Sequence, residues 1–164
     1  NINSDDWLDT DYIKKVHQHI EQENPDILIG QLGFVSDTKI RWIKPNIPNS
    51  YPPKRWLNFA INHPGMVIRK SLLKNIGGYS EDYDVAMDVD LFFNLLKSSP
   101  KIVIMEDALV FQNDHGVSQQ KWMTALRELK DIEIKHHRPV FSANMAFLYR
   151  VFKIWVKKKL LFLF

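Results

Sequence analysis

The 164-residue sequence has no cysteine. That excludes disulfides, thiolate zinc sites and cysteine nucleophiles, and it fits a reducing compartment. No uninterrupted apolar run is long enough to span a bilayer as a helix. Neither an initiator methionine nor a signal-peptide pattern opens the chain, so it is expected to be cut from a longer protein. A net charge of +3 comes without the sheet of lysine and arginine that nucleic acid requires, and no nucleic-acid partner is expected.

What is present is a globular composition. Hydrophobic residues make up 45% and aromatics 12%, enough for one domain with a real core. Charge is unevenly placed. Asp5, Asp6, Asp9 and Asp11, then Glu81, Asp82, Asp84, Asp88 and Asp90, fall in two acidic clusters, while Lys153 and Lys157 to Lys159 sit at the far end.

Hydrophobic periodicity orders the chain. Tyr12, Ile13, Val16 and Ile20 recur at helical spacing, with Asp9 or Asp11 as cap and Asn24-Pro25 as stop. DILIGQLGFV reads as a buried strand and IRWI as a second. NIPNSYPPKRW reads as a loop ordered by Tyr51 and Trp56. MVIRK suggests a short strand, SLLKNI a short helix, and Gly77-Gly78 a turn that needs left-handed backbone. DVAMDVDLFFNLLK is a helix, KIVIM and ALVFQ two strands, and a long amphipathic helix runs from about residue 118 to 136. Pro139 breaks it, and a last helix starts near Ser142. Alternating strands and helices place the chain in the α/β or α+β class.

Three stretches carry possible chemistry. NSDDW brings Asp5 and Asp6 together, which suits a cation site and equally an Asx turn or helix N-cap. GGYSEDYDVAMDVDL puts Asp88 and Asp90 near a helix start, where the dipole favours negative charge. Capping accounts well for Asp82, Asp84 and Asp90. Asp88 has apolar neighbours, Met87 and Val89, and a carboxylate so placed can act as a base. FQNDHGVS sets His115 between a strand and a glycine, and INHPG sets His63 and Gly65 ahead of another strand. His17, His19, His136 and His137 read as helix-surface residues.

In this order, NSDDW, INHPGMVIRKSLLKNIGGYSEDY, AMDVDLFF and NDHGVS resemble the family 2 glycosyltransferases of GT-A fold, over roughly residues 1 to 120. The resemblance implies a partial GT-A fold, Rossmann-like and α/β, lacking its N-terminal nucleotide-binding half. Residues 1–138 would be the C-terminal part of that domain and 139–164 a basic amphipathic helix. NSDD then matches a DXD-type motif, with Asp6 as principal ligand of a divalent cation (Mn²⁺ or Mg²⁺), Asp5 as helper and His115 completing the set. Gly77 and Gly78 match the glycine loop lining the sugar and acceptor pocket, with Glu81, Asp90 and His63 as further donor- or acceptor-binding residues. Asp88 takes the place of the catalytic base. Two positions depart from the pattern: Asn94 stands where many relatives have arginine, and Met87 replaces an acid beside the base.

The implied parent is an inverting enzyme that moves a sugar from a nucleotide diphosphate to a glycan or lipid-linked acceptor. It would serve bacterial surface polysaccharide synthesis in the cytoplasm, peripheral to the inner face of the plasma membrane. This chain alone is expected to be inactive or nearly so. The mixture of aromatic, aliphatic and basic residues after Pro139 suits an anionic membrane surface, and equally a helix packed on its own domain. Two rivals stand beside the enzyme: a carbohydrate- or partner-binding module that keeps the fold, and a metal-dependent hydrolase built on Asp5, Asp6 and His115.

Overall fold

The stretch ILIGQLGFVS is apolar on both its faces because it lies in the middle of a sheet covered on both sides. It forms strand β2 (Ile27–Ser36). The computed structural model describes residues 6–36, 39–48, 50–54, 56, 61–113 and 120–161. Around β2 stand β1 (Asp6–Leu8), β3 (Lys39–Ile43), β4 (Met66–Ile68) and β5 (Ile102–Asn113). The sheet order is β1-β5-β2-β3, with β4 paired to the first residues of β2. Among the described residues β2 and β5 pair in parallel and the other strand pairs are antiparallel.

Residue parity along β2 separates two cores. Ile27 and Ile29 face Met66, Phe92, Phe93 and Leu95, the last three from helix α3 (Met87–Leu96). Leu28 and Leu32 face Val110, Tyr12 and Val16, the last two from helix α1 (Tyr12–Glu23). Helix α4 (Trp122–Lys135) closes the first core with Ile132, and helix α5 (Val140–Leu161) packs along α4. A short helix α2 (Lys70–Asn75) follows β4.

Local expectations hold in several places. Asn24 ends α1 in the left-handed conformation, with φ of 45°. After α2, Gly77 and Gly78 both take positive φ, 81° and 79°, and the Gly78 N–H reaches Leu73 O while the Gly77 N–H reaches Lys74 O. That bond pair is a Schellman stop, which a Cβ at either position would strain. The proline-rich loop is pinned as expected: Tyr51 meets His136, and the Trp56 ring lies 5.5 Å from that of Phe93.

Three expectations need correction. KIVIM and ALVFQ are one strand, β5, whose register against β2 jumps from Met105 to Leu109. Two carbonyls of the bulge at Glu106 to Ala108 accept from side chains, Glu106 O from Gln31 Nε2 and Asp107 O from Lys15 Nζ. Asp6 lies in strand β1 and does not cap a helix; α1 starts after Asp11, whose side chain makes no cap bond. His136 is fully buried rather than on a helix surface.

Gly30 sits at the register jump. A Cβ there would lie 2.9 Å from the Ala108 carbonyl oxygen and 3.3 Å from Tyr12 Cε2. Backbone in a bulge cannot move aside cheaply, so Gly30→Ala is expected to cost about 1–3 kcal/mol. Urea unfolding of the variant checks this, and an unchanged midpoint would refute the crowding.

Candidate active site

Asp88 occupies the first turn of α3, half-buried, with Oδ1 accepting the Val89 N–H at 2.9 Å. Burial pushes its carboxyl above the ordinary value; nearby His63 and the backbone donors pull the other way without cancelling it. A carboxylate in that state is a stronger base once ionised.

His63 is the other half of the pair. Burial holds its imidazole below the usual histidine value, against the opposing fields of Asp88 and Asp6. Three contacts position it. The neighbouring Asn62 is buried and donates from Nδ2 to Gly30 O (3.1 Å) and Ile43 O (2.9 Å), filling the gap between β3 and β4 beside β2. Tyr12 donates its hydroxyl to Gly65 O at 3.0 Å, and burial raises that phenol to about 12, so it stays protonated. Finally, His63 Nε2 and the Tyr79 hydroxyl share a hydrogen bond of 2.7 Å. Tyr79 follows the Gly77-Gly78 turn, so the turn reaches the site through its aromatic neighbour.

The loop entering α3 is held from outside. Ala86, at the N-cap, offers no side-chain oxygen, and Glu128 of α4 replaces it. Its carboxylate accepts the N–H groups of Asp84 (3.0 Å), Val85 (2.9 Å) and Ala86 (2.8 Å). Burial alone would raise the Glu128 carboxyl, but these donors and Lys121 outweigh it and hold it below its usual value. A depressed carboxyl adds stability above its unfolded value and loses it as pH falls through the folded one. Glu128→Gln is therefore expected to destabilise the chain at pH 7 and to remove part of the stability loss below about pH 4.5. Thermal midpoints of both proteins from pH 3 to 7 check this; parallel curves would sink it.

The remaining expected residues fall in different places. Asp6 lies in β1 with its Oδ1 buried, within the electrostatic reach of His63. Asp5 and His115 lie outside the described residues. Among the described residues no group of three histidine, cysteine, aspartate or glutamate side chains is placed to hold a metal ion. Gly77 and Gly78 form the turn just before Tyr79, and Glu81 follows it in a separate, exposed turn.

Asp90 is separated from Asp88. Two residues along a helix turn it by about 200°, and it faces α4. It is fully buried, with Asn94 Nδ2 and Lys135 Nζ on Oδ2 at 3.0 Å each and His136 Nε2 on Oδ1 at 2.9 Å. A neutral His136 satisfies both its neighbours, donating from Nε2 to Asp90 and accepting the Tyr51 hydroxyl at Nδ1, 3.1 Å away. Burial lowers the His136 imidazole despite Asp90, consistent with that neutral form. Asp90 thus ties α3 to α4, and Asn94 serves the same tie.

One surface feature had no sequence signal. Trp7, Phe111, Gly33 and Trp42 stand opposite one another on β1, β5, β2 and β3. The Trp7 and Phe111 rings stack at 5.6 Å, and Trp42 meets Phe111 edge-on at 5.7 Å. Both indoles stay nearly half exposed, at 43% and 48%. The row crosses three strand spacings, about 14 Å, on the sheet face that also carries α3. Alternation within single strands hides such a row, because it exists only across the register.

No protein-family model and no curated protein matches this chain. Solved structures do. The crystal structure of S. aureus TarS residues 1–349 is similar at a TM-score of 0.54 and 15% identity, over 89% of this chain and 43% of that one. Its complex with UDP-GlcNAc gives 0.52 and 16%, over 89% and 45%, and its complex with UDP gives 0.53 and 18%, over 93% and 46%. The chain therefore spans less than half the length of these neighbours. At such identities the likeness shows the fold alone, a mixed α/β arrangement that matches part of the TarS chain.

Proposed function

We propose that this chain is the acceptor-side part of an inverting, metal-dependent glycosyltransferase of family 2. Its donor is a nucleotide diphosphate sugar and its acceptor a hydroxyl of a glycan or lipid-linked glycan, in bacterial surface polysaccharide synthesis at the cytoplasmic face of the membrane. The observation that carries this reading is Asp88: a half-buried carboxylate at a helix start, raised by burial and within the field of His63, which also feels Asp6. The UDP and UDP-GlcNAc in the similar structures support the donor class.

In this reading Asp88 accepts the proton of the acceptor hydroxyl as that oxygen attacks the anomeric carbon and the bond to the diphosphate breaks. His63, kept neutral and hydrogen-bonded to Tyr79, orients the pocket wall beside it. Asp6, with Asp5 and His115, supplies the carboxylate oxygens and one imidazole that suit Mg²⁺ or Mn²⁺. A cation bound there would offset the charge of the departing diphosphate. Gly77, Gly78 and Glu81 border the acceptor side through Tyr79.

A second reading rests on the exposed aromatic row. Trp7, Phe111 and Trp42 present flat apolar rings of the kind that stack on sugars, so a carbohydrate-binding module with no chemistry is the alternative. A transfer assay on the protein that carries this chain separates the two. UDP-, GDP- and dTDP-sugars are offered with glycan acceptors, with Mn²⁺ or Mg²⁺ and then with chelator. Metal-dependent transfer with inverted anomeric configuration supports the enzyme. Glycan binding that survives chelation, with no transfer from any donor, would overturn it in favour of the module.

A further inference from the structure

Helix α5 has two opposite faces. Ala143, Ala146 and Arg150 turn inward: the alanines are buried, and Arg150 donates to Glu133 Oε1 at 2.6 Å and to the Trp56 carbonyl. On the other side stand Phe141, Met145, Leu148, Phe152 and Trp155, each at least half exposed, from 51% at Met145 to 79% at Phe141. Their spacing of four and three places them in a sector about 80° wide, at 100° per residue. The helix contains no aspartate or glutamate at all. Its cations are Arg150, already paired, and lysines, of which Lys153 lies on the flank and Lys159 closes the stripe with its ammonium 4.4 Å from the Trp155 ring.

We infer that this face of α5 lies on an anionic lipid surface. The same spacing suits a coiled-coil seam, but a second copy would bring lysine against lysine with no acid on either helix to pair them. Anionic headgroups supply the missing charge, and the acyl boundary takes the aromatic and aliphatic side chains. The helix would lie in the interface plane: among the described residues no helix is long and apolar enough to cross a membrane. Attachment is rigid. Arg150 holds α5 to Glu133 of α4, and α4 holds the start of α3 through Glu128, so the lipid surface and the Asp88 helix are joined by two buried or half-buried carboxylates. This inference does not depend on the transferase reading and stands or falls separately.

Vesicle sedimentation of the full chain tests it, using phosphatidylcholine vesicles with and without 30% phosphatidylglycerol. Binding is expected to be at least tenfold stronger with the anionic lipid and to weaken as salt rises. Leu148→Ser with Phe152→Ser should lower it at least tenfold. Lys153→Gln with Lys157→Gln and Lys159→Gln should remove the preference for anionic lipid. All five side chains are exposed, and an unchanged circular dichroism spectrum verifies folding of each variant. Equal binding to both vesicles, or none to either, overturns the inference. A dimer in solution that the serine variants convert to monomer, with no lipid binding, overturns it in favour of a second copy.

Discussion

Asp88→Asn, made in the enzyme that carries this chain, is expected to lower turnover by about 10²- to 10⁴-fold, the usual contribution of a positioned general base. The amide keeps the Oδ1 that accepts the Val89 N–H and keeps the side-chain shape, so nucleotide binding should change little. Stability supplies the control. An acid whose folded value is raised opposes folding once ionised, so its stabilising share is lost as pH rises through that value. Removing the charge should leave the thermal midpoint at pH 7 unchanged or slightly higher while activity collapses. For the unmodified enzyme, the acidic limb of the kcat/KM profile should lie above the ordinary carboxylate value, because burial raises Asp88. Turnover within a few-fold of the parent would remove Asp88 from the role of base.

Glu133→Ala is expected to be strongly destabilising. Glu133 is wholly buried, accepting Arg138 Nη1 on Oε2 at 2.8 Å and both Arg150 terminal nitrogens, at 2.6 and 3.2 Å. Arg138 is itself buried, with its guanidinium above the Trp56 ring at 6.0 Å and Nε bonded to Ser142. Deleting the carboxylate leaves a buried guanidinium, Arg138, and a partly buried one, Arg150, without the carboxylate that pairs them. Breaking a buried pair from one side costs about 3–5 kcal/mol, a large part of the 5–15 kcal/mol that holds a typical domain together. Chemical denaturation measures it. Asp131→Ala, which breaks an exposed pair with Lys130, is the comparison and should cost about 1 kcal/mol or less. A Glu133 effect of that same small size would mean the two arginines find water instead.

The same carboxylate explains why the C-terminal helix could be read two ways from its residues. Arg150 counted as one more cation in a basic tail, yet it is the residue that fastens α5 to the domain. Glu133 sits 17 positions away, and nothing in the local pattern pairs them. Similarly, Asp88 and Asp90 look alike in AMDVDL. Helical geometry turns them apart, and only the position of α4 decides that Asp90 meets His136 and Lys135 while Asp88 stays beside His63. His136 followed a good amphipathic helix and had every local mark of a surface residue. Tyr51, 85 positions earlier, and Asp90 made it part of the interior.

By its residues alone, this chain determined its mixed α/β class, the presence of α1, α3 and β2, and the glycine stop after α2. Each of these is governed by neighbours a few positions away: side-chain period, backbone φ at Gly77 and Gly78, the dipole at a helix start. Tertiary structure decided what depends on distant partners. It made one bulged strand of KIVIM and ALVFQ, drew Tyr79 onto His63, put Glu128 at the start of α3, aligned Trp7, Phe111 and Trp42 across four strands, and left one face of α5 open. The physical reason is that a long-range contact is a property of how whole elements pack, and many residues share its energy, so no short stretch of sequence carries its signature.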